Sequence, residues 1–232
     1  MIAKFYKQVD VAQSGEGFAV HLDGKPLKTP AKAALILPTP ELANAIADEW
    51  AGQRETVDPQ TMPLTKLANT AIDGVVTHRA DIAAAILNFG RNDLLCYRAE
   101  APQELAARQA AAWNKQLLWL AARYGATLEV TTGINAIPQP EAAMEALARA
   151  LNAHGDFALT ALHVLTSITG SLVLGLALAE GRIDGEAAFA LSRIDEDYQA
   201  EKWGEDSEAT RRAELLRHDL EKALEFLTLS RA

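Results

Sequence analysis

Hydrophobic and polar residues alternate with a period of two near the start of the chain, which is typical of β-strands. The alternation covers residues 5–11 and returns over residues 18–22. A glycine-containing segment at residues 14–17 separates the two stretches and predicts the turn of a β-hairpin, because glycine tolerates the backbone angles that such turns need. Residues 33–37 predict one more short strand. The part of the chain up to residue 38 is therefore predicted to be a small β-rich module.

From residue 39 the hydrophobic residues recur every three or four positions, which predicts amphipathic helices. Thr39, Pro40 and Glu41 combine a capping hydroxyl, a proline at the first helical position and an acid in the first turn. Similar start signals stand at residues 62–63, near 81, at 102–104, at 140, at 184 and at 206–208. The predicted fold class is α+β. It has a small β-rich N-terminal domain over residues 1–38, with a boundary between residue 38 and about residue 60, and a larger mainly helical C-terminal domain over residues 39–232.

Residues 157–179 form a run of 23 positions without a charge, long enough for a helix to cross a bilayer. Two interpretations are open, a membrane-spanning helix or a buried helix. The run contains His163 and five Ser or Thr hydroxyls, and aromatic or lysine anchors do not flank it. These features favour a buried helix that is broken near Gly170.

The chain carries 22 basic and 31 acidic residues, a formal net charge of −9. This balance disfavours nucleic acid and anionic membrane surfaces as partners, since both bind through clustered Lys and Arg. The first 38 residues differ, because five lysines outnumber three acids there. A single cysteine, Cys96, excludes an internal disulfide and a four-cysteine zinc site. The sequence around it is apolar, so we expect a buried, unreactive thiol.

Acidic residues concentrate between residues 180 and 208, a segment that contains ten acidic and three basic residues. Asp197, Glu201, Glu205 and Glu208 follow one another at helical spacing, although Gly204 is expected to interrupt the helix. One interpretation is an ordinary solvated helix face. The other is a docking surface for a basic partner, or less often a carboxylate or metal site. Trp203 favours docking, because tryptophan is enriched at interface hot spots.

Motifs of catalysis and cofactor binding are absent from the sequence: it has no P-loop, no dinucleotide-binding glycine motif, no zinc-protease motif and no nucleophile elbow. We therefore predict no enzyme, no cofactor and no metal. The alternative is a small acid–base enzyme that uses carboxylates of residues 195–206, such as Asp195 and Glu196. That chemistry would need burial to raise one of their pKa values. Trp50, on the apolar face of its helix, is interpreted as a core residue rather than a binding residue.

Seven motifs in fixed order carry a resemblance that spans residues 5–227. They are FYKQVDV, LDGKPLKTP, LANAIADEW, DPQTMPLTKLANTAID, RNDLLCYRAEAP, GSLVLGLALAEG and DEDYQAEKWGED. Together they closely resemble the family of assembly chaperones of the ATP synthase alpha subunit, which occurs in mitochondria and in some bacteria. Any one motif is weakly specific, whereas the ordered set is highly specific.

The resemblance implies a protein that holds unassembled alpha subunits, prevents their aggregation and hands them to beta subunits without ATP hydrolysis. It also implies a β-rich N-terminal domain and a helical C-terminal domain, and no transmembrane span or small-molecule substrate. The absence of a targeting presequence favours a bacterial, cytoplasmic member, whereas eukaryotic relatives are expected in the mitochondrial matrix. The family's most suggestive stretch predicts a partner-binding surface of Glu196, Tyr198, Gln199, Glu201, Trp203, Gly204, Glu205 and Asp206.

Overall fold

The N-terminal strands form a small antiparallel sheet whose central strand is Gly17–Leu22. The computed structural model describes residues 2–231, and it describes Ile2 by its backbone alone. The central strand pairs with the strand Val9–Ser14, from Val9 opposite Leu22 to Ser14 opposite Gly17. The strands of this part of the chain are β1 (Ile2–Ala3), β2 (Val9–Ser14), β3 (Gly17–Leu22), β4 (Lys25–Pro26), β5 (Ile36–Leu37) and β6 (Thr56–Val57). The remaining neighbours of β3 are β4 and β5, and β1 pairs with β6.

The predicted strand over residues 5–11 begins later than expected, at Val9. Tyr6 is buried instead, and its hydroxyl donates a hydrogen bond to the Trp50 carbonyl at 2.7 Å. The amides of Lys7 and Gln8 donate to the Asp23 carboxylate at 3.0 and 2.8 Å. These bonds replace strand pairing, and they lower the pKa of Asp23. The period-two pattern therefore located the hairpin correctly and placed its first residue too early.

The rest of the chain is mainly helical, which confirms the predicted fold class. The helices are α1 (Pro40–Ala51), α2 (Pro63–Thr70), α3 (Val76–Arg91), α4 (Gln103–Tyr124), α5 (Glu141–Asn152), α6 (Asp156–Thr169), α7 (Leu172–Ala179), α8 (Gly185–Ser192), α9 (Ile194–Trp203) and α10 (Ser207–Leu229). A π-helical turn, Ala71–Val75, links α2 to α3. Two short strands, β7 (Tyr97–Arg98) and β8 (Thr131–Thr132), pair in parallel.

Several helix predictions are confirmed at their caps. The Thr39 hydroxyl accepts a hydrogen bond from the Leu42 amide at 3.2 Å, and the Asp184 carboxylate accepts one from the Ala187 amide at 2.8 Å. Other expectations need correction. The helical element that contains Asp81 starts earlier than expected, at Val76, but its backbone is non-helical at His78 (φ −122°, ψ 32°), so the regular helix expected near Asp81 follows this kink. The extended segment expected over residues 126–132 contributes only β8.

The described chain divides into two compact units that each gather non-consecutive segments. The first unit comprises the residues up to Arg79, Gly155–Ala161 and the residues from Lys222 onwards. The second comprises Ala80–His154 and Leu162–Glu221. The boundary near residue 38 that we predict from the sequence follows secondary structure, whereas these units follow packing. That boundary stays a prediction.

In the first unit, Trp50 packs against a cluster of Tyr6, Leu22, Val57 and Met62. The rings of Tyr6 and Trp50 lie 5.6 Å apart between centroids. Trp50 is half-buried and packs against the edge of this cluster, which supports its interpretation as a packing residue rather than a binding residue. Glu49 caps α2 in the same unit. Its carboxylate accepts hydrogen bonds from the Leu64 and Thr65 amides at 2.7 and 2.8 Å.

The uncharged run over residues 157–179 forms α6 and α7, separated by Gly170 and Ser171. Every residue of α7 is buried. None of the helices within residues 2–231 has both the length and the apolar character that a membrane crossing needs. The buried, broken helix predicted from the sequence is thus confirmed.

Asp93 fixes the start of α7. Its carboxylate is fully buried and accepts hydrogen bonds from the Ser171 hydroxyl at 2.7 Å, the Val173 amide at 3.0 Å and the Leu95 amide at 3.1 Å. Burial raises the pKa of Asp93 to about 6, against the opposing effect of these hydrogen bonds. Asp93 and Ser171, referred to below as the Asp93 cap, satisfy helix-end amides that would otherwise be buried without partners.

Candidate partner-binding site

The acidic segment predicted as a binding surface forms α9 and the connection to α10, all within the second unit. Helix α9 begins after Arg193 and ends at Gly204, whose φ of 93° and ψ of 162° suit glycine and strain other residues. The predicted interruption at Gly204 is therefore confirmed. Asp206 then starts α10, because its carboxylate accepts a hydrogen bond from the Glu208 amide at 2.9 Å.

One face of α9 packs on α4 through paired charges. Both carboxylate oxygens of Glu201 accept hydrogen bonds from Nη1 of Arg108, at 2.9 and 2.8 Å. Lys202 Nζ lies 3.1 Å from Oε2 of Glu104, and Arg108 also binds Glu104 at 2.9 Å. These four side chains form a network across the two helices, which we name the α4–α9 charge network.

Tyr198 lies beneath this network with 5% of its surface exposed. Its hydroxyl donates to Glu104 at 3.2 Å, and the cationic groups of Arg108 and Lys202 both lie 5.1 Å from its ring centroid. The hydrogen bonds from Lys202 and Arg108 lower the pKa of Glu104. Because a glutamate is already ionised at neutral pH, the lowered pKa extends the ionised form of Glu104, and with it these contacts between α4 and α9, to more acidic pH.

Two more contacts hold the start of α9 and the end of α8 against α4. Gln109 Nε2 donates to Oδ1 of Asp195 at 2.6 Å, and the indole N–H of Trp113 donates to the Leu191 carbonyl at 2.8 Å. Trp113 is fully buried, so its donor must find a partner inside the unit. Helix α9 is thus tied to α4 at both of its ends.

The opposite face of α9 is open and lines a groove with α10 and the end of α8. The groove has a volume of 610 Å³ and contains Trp203, whose surface is 78% exposed. Its remaining lining residues are Phe189, Ala190, Arg193, Glu196, Asp197, Gln199, Ala200, Gly204, Glu205, Asp206, Ala209, Thr210, Ala213 and Arg217. We name this feature the α9–α10 groove.

Two arginines that line the groove lie near an aromatic ring. The guanidinium carbons of Arg193 and Arg217 lie 5.6 and 5.1 Å from the centroid of Phe189. Arg193 also faces Glu196 and Asp197, although at 3.9 and 3.8 Å these ion pairs are long. Such exposed pairs contribute little to stability, so their carboxylates are free to turn to another cation.

The structure divides the eight predicted binding residues into two groups. Glu196, Gln199, Trp203, Gly204, Glu205 and Asp206 line the groove, whereas Tyr198 and Glu201 belong to the α4 side. Helical spacing explains the division, since positions 198, 201 and 202 share a face that positions 196, 199, 200 and 203 do not. Binding of a partner by these residues stays a prediction.

Sequence reasoning missed the residues that α9 contacts. Arg108 and Glu104 lie more than 90 positions before their partners, and the sequence shows only that they are spaced as an i, i+4 ion pair on one helix. Phe189 and Arg217 likewise come together from two different helices. No local sequence pattern predicts these contacts.

The carboxylates named for the alternative enzyme hypothesis also fall into different surroundings. Asp195 accepts the hydrogen bond from Gln109, and Glu196 is exposed at the groove. Among the described residues no three His, Cys, Asp or Glu side chains are placed to hold a metal ion. Cys96 is buried, and burial raises the pKa of its thiol to about 12, so it stays protonated at neutral pH.

Comparison with known proteins places this architecture in a family. The sequence profile of the family described as ATP12 chaperone protein matches residues 3–121. The crystal structure of Atp12 from Paracoccus denitrificans is 42% identical, matches 99% of both chains and superposes with a TM-score of 0.96. The chain belongs to the ATP12 chaperone family. Its members are chaperones of ATP synthase assembly.

Two further relatives of this ATP12-family chaperone extend the comparison. The crystal structure of the protein Atu1473 from Agrobacterium tumefaciens is 45% identical, with 97% of this chain and 85% of that chain aligned and a TM-score of 0.93. The mitochondrial protein atp12 of Schizosaccharomyces pombe is 26% identical over 204 residues, which are 83% of this chain and 70% of the relative. The relatives that carry a functional name are named as chaperones rather than as enzymes.

Proposed function

We propose that this protein binds the unassembled alpha subunit of the ATP synthase catalytic sector, prevents its aggregation and passes it to the beta subunit. Membership of a family of ATP synthase assembly chaperones supports the assembly role. The observation that carries the proposal is the exposed Trp203 in a groove of the second unit, next to Glu205 and Asp206, which form no ion pair with a described residue. Tryptophan next to a polar rim is the composition of an interface hot spot.

The physical basis of this function is mass action. A subunit of an alternating ring exposes apolar interface before its neighbour arrives, and exposed apolar patches aggregate. A protein that covers this surface lowers the free concentration of the aggregation-prone form. Release requires only that the beta subunit compete for the same surface, so the cycle needs no ATP hydrolysis, in agreement with the missing P-loop motif.

The partner-binding segment in this proposal consists of Glu196, Tyr198, Gln199, Glu201, Trp203, Gly204, Glu205 and Asp206, of which Tyr198 and Glu201 act from the α4 side by holding α9 in place. Its acids would steer a basic surface of the alpha subunit towards the groove, and Trp203 would hold the complex by burial. We place this chaperone in the bacterial cytoplasm. Support for a bacterial source comes from the two bacterial crystal structures, which are 42% and 45% identical, against 26% for the mitochondrial relative.

Light scattering of purified alpha subunit after dilution from denaturant tests the proposal. Equimolar chaperone is expected to suppress scattering without nucleotide, and added beta subunit is expected to release the alpha subunit into alpha–beta assemblies on gel filtration. Scattering that is unchanged by the chaperone, or suppression that requires ATP, would contradict the proposal. An unrelated acidic protein at the same concentration is the control for non-specific crowding.

A further inference from the structure

The composition of the α9–α10 groove is specific enough to indicate the chemistry of its occupant. Its lining includes four alanines, Ala190, Ala200, Ala209 and Ala213, which let another backbone approach closely because they project only a methyl group. Its volume lies within the range of roughly 300–1,000 Å³ that is usual for binding pockets. The exposed indole of Trp203 forms part of the wall.

The rim of the groove is acidic and incompletely neutralised. Four acids line it, Glu196, Asp197, Glu205 and Asp206, against two arginines. Among the ion pairs of described residues none includes Glu205 or Asp206, whereas Glu201 on the other face is already paired with Arg108. The unneutralised charge therefore lies in the connection between α9 and α10, where it lines the groove, and not on the face of α9 that packs on α4.

The groove continues along α10 as a second concavity. This concavity shares Thr210, Ala213 and Arg217 with the groove and extends to Glu214, His218 and Glu221. From Ala209 to Glu221, the first and last lining residues on α10, the helix rises about 18 Å. A track of that length fits a polypeptide segment of several residues rather than a small molecule.

We infer that the α9–α10 groove binds a cationic polypeptide segment of the client, with Trp203 as its apolar anchor, and that Tyr198 and Glu201 only position α9. This inference rests on the proposed chaperone function for the identity of the client. A second copy of the chain fits poorly as occupant, because each copy has a net charge of −9 and would bring acidic surface to an acidic rim.

The test begins with two synthetic peptides as probes, one of lysine and leucine and one of glutamate and leucine in the same order. The chain has four tryptophans, so the part of the emission change that is lost in Trp203→Phe reports occupancy, because an exposed indole shifts its emission to shorter wavelength when it is covered. We expect a saturable blue shift with the lysine peptide, loss of that shift in Trp203→Phe, and no shift with the glutamate peptide. Equal shifts with both peptides would overturn the assignment of a cationic occupant.

Charge reversal at the rim locates the site. The double variant Glu196→Lys/Glu205→Lys is expected to weaken binding of the lysine peptide and of the alpha subunit by at least about tenfold. The matched control is Glu16→Lys/Glu55→Lys, which makes the same change in net charge at two exposed acids of the first unit. The control is expected to bind within about twofold of the unmodified protein, because it leaves the rim intact.

The outcomes separate this inference from the proposed function. If the unmodified protein holds the alpha subunit and the rim variant holds it equally well, the groove is not the docking site and the inference fails. If the unmodified protein binds the lysine peptide through Trp203 but does not hold the alpha subunit, the proposed client is wrong while the cationic groove stands. A weakening of the same size in the Glu16/Glu55 control would show a non-specific charge effect and would also overturn the inference.

Discussion

The Asp93 cap and the α9–α10 groove use the same chemical group in opposite ways. Asp93 is fully buried, and each of its oxygens accepts hydrogen bonds from the start of α7 or its neighbourhood. Glu205 is exposed and lies at a groove with its charge unneutralised. A buried carboxylate must satisfy its hydrogen bonds within the fold because desolvation is costly, whereas an exposed one stays hydrated until a partner arrives.

The comparison shows which acidic side chains can bind a partner without destabilising the fold. A carboxylate that holds a helix end cannot be withdrawn without destabilising the fold, and one that remains solvated can bind another chain at small cost. Glu201 stands between these limits, since it is exposed but paired with Arg108 across two helices. Substitutions at these positions are expected to affect stability most at Asp93, less at Glu201 and least at Glu205.

The largest effect is expected for Asp93→Ala. The substitution leaves the Val173 and Leu95 amides and the Ser171 hydroxyl buried without an acceptor, so the free energy of unfolding should fall by about 2–4 kcal/mol. Urea unfolding followed by circular dichroism measures this loss. Ser171→Ala is the graded control and should lose less, because it removes one hydroxyl and keeps the carboxylate. A loss below about 1 kcal/mol in Asp93→Ala would show that water replaces the cap.

A second prediction concerns the pH dependence that Asp93 contributes. The pKa of its carboxyl is about 6 in the folded protein against an ordinary value of 3.8, so the folded state binds this proton more tightly than the unfolded chain. The stability that Asp93 contributes therefore falls as pH rises from about 4 to about 6 and is constant above that range.

Asp93→Asn removes this titration. The Tm of the unmodified protein minus the Tm of the variant should therefore increase as the pH falls from 7 to 4. Thermal unfolding at several pH values in a buffer of constant ionic strength measures the difference. A difference that shrinks on acidification would mean that hydrogen bonding outweighs burial and holds the pKa of Asp93 below its ordinary value.

An intermediate effect is expected in the α4–α9 charge network. Glu201→Lys places a third cation beside Arg108 and Lys202, so it should lower Tm slightly and weaken capture of the alpha subunit by misplacing α9. The exchange Arg108→Glu/Glu201→Arg restores the pair in reverse and should recover both properties in large part. Binding that stays lost in the exchange variant, with Tm recovered, would instead make Glu201 a direct contact of the client.

The smallest effect on stability is expected for Glu205→Gln. This side chain is exposed and makes no ion pair with a described residue, so the free energy of unfolding should change by less than about 0.5 kcal/mol. Capture of the alpha subunit should nevertheless weaken, because one of the groove's acids is removed. Isothermal titration with purified alpha subunit, beside urea unfolding of the same preparation, measures both quantities. A stability loss as large as that of Ser171→Ala would place Glu205 with the structural acids.

Local signals in the sequence were sufficient for much of the fold. The β2–β3 hairpin follows from alternation and its turn, α1 from Thr39 and Pro40, and the end of α9 from Gly204. Each of these features depends on interactions within a few residues, namely backbone sterics and helix capping. The candidate site was also predicted as a segment, although its division into two faces was not.

The composition and order of residues by themselves determined that this chain has a β-rich start, a helical remainder and an acidic stretch that contains a tryptophan. Tertiary structure decided which acids are buried, which are paired and which are open, as Asp93, Glu201 and Glu205 show. The reason is that hydration and pairing of a charge depend on neighbours that meet it from distant parts of the chain. Arg108 approaches Glu201 across 93 positions and Ser171 approaches Asp93 across 78, distances over which a one-dimensional pattern carries no information.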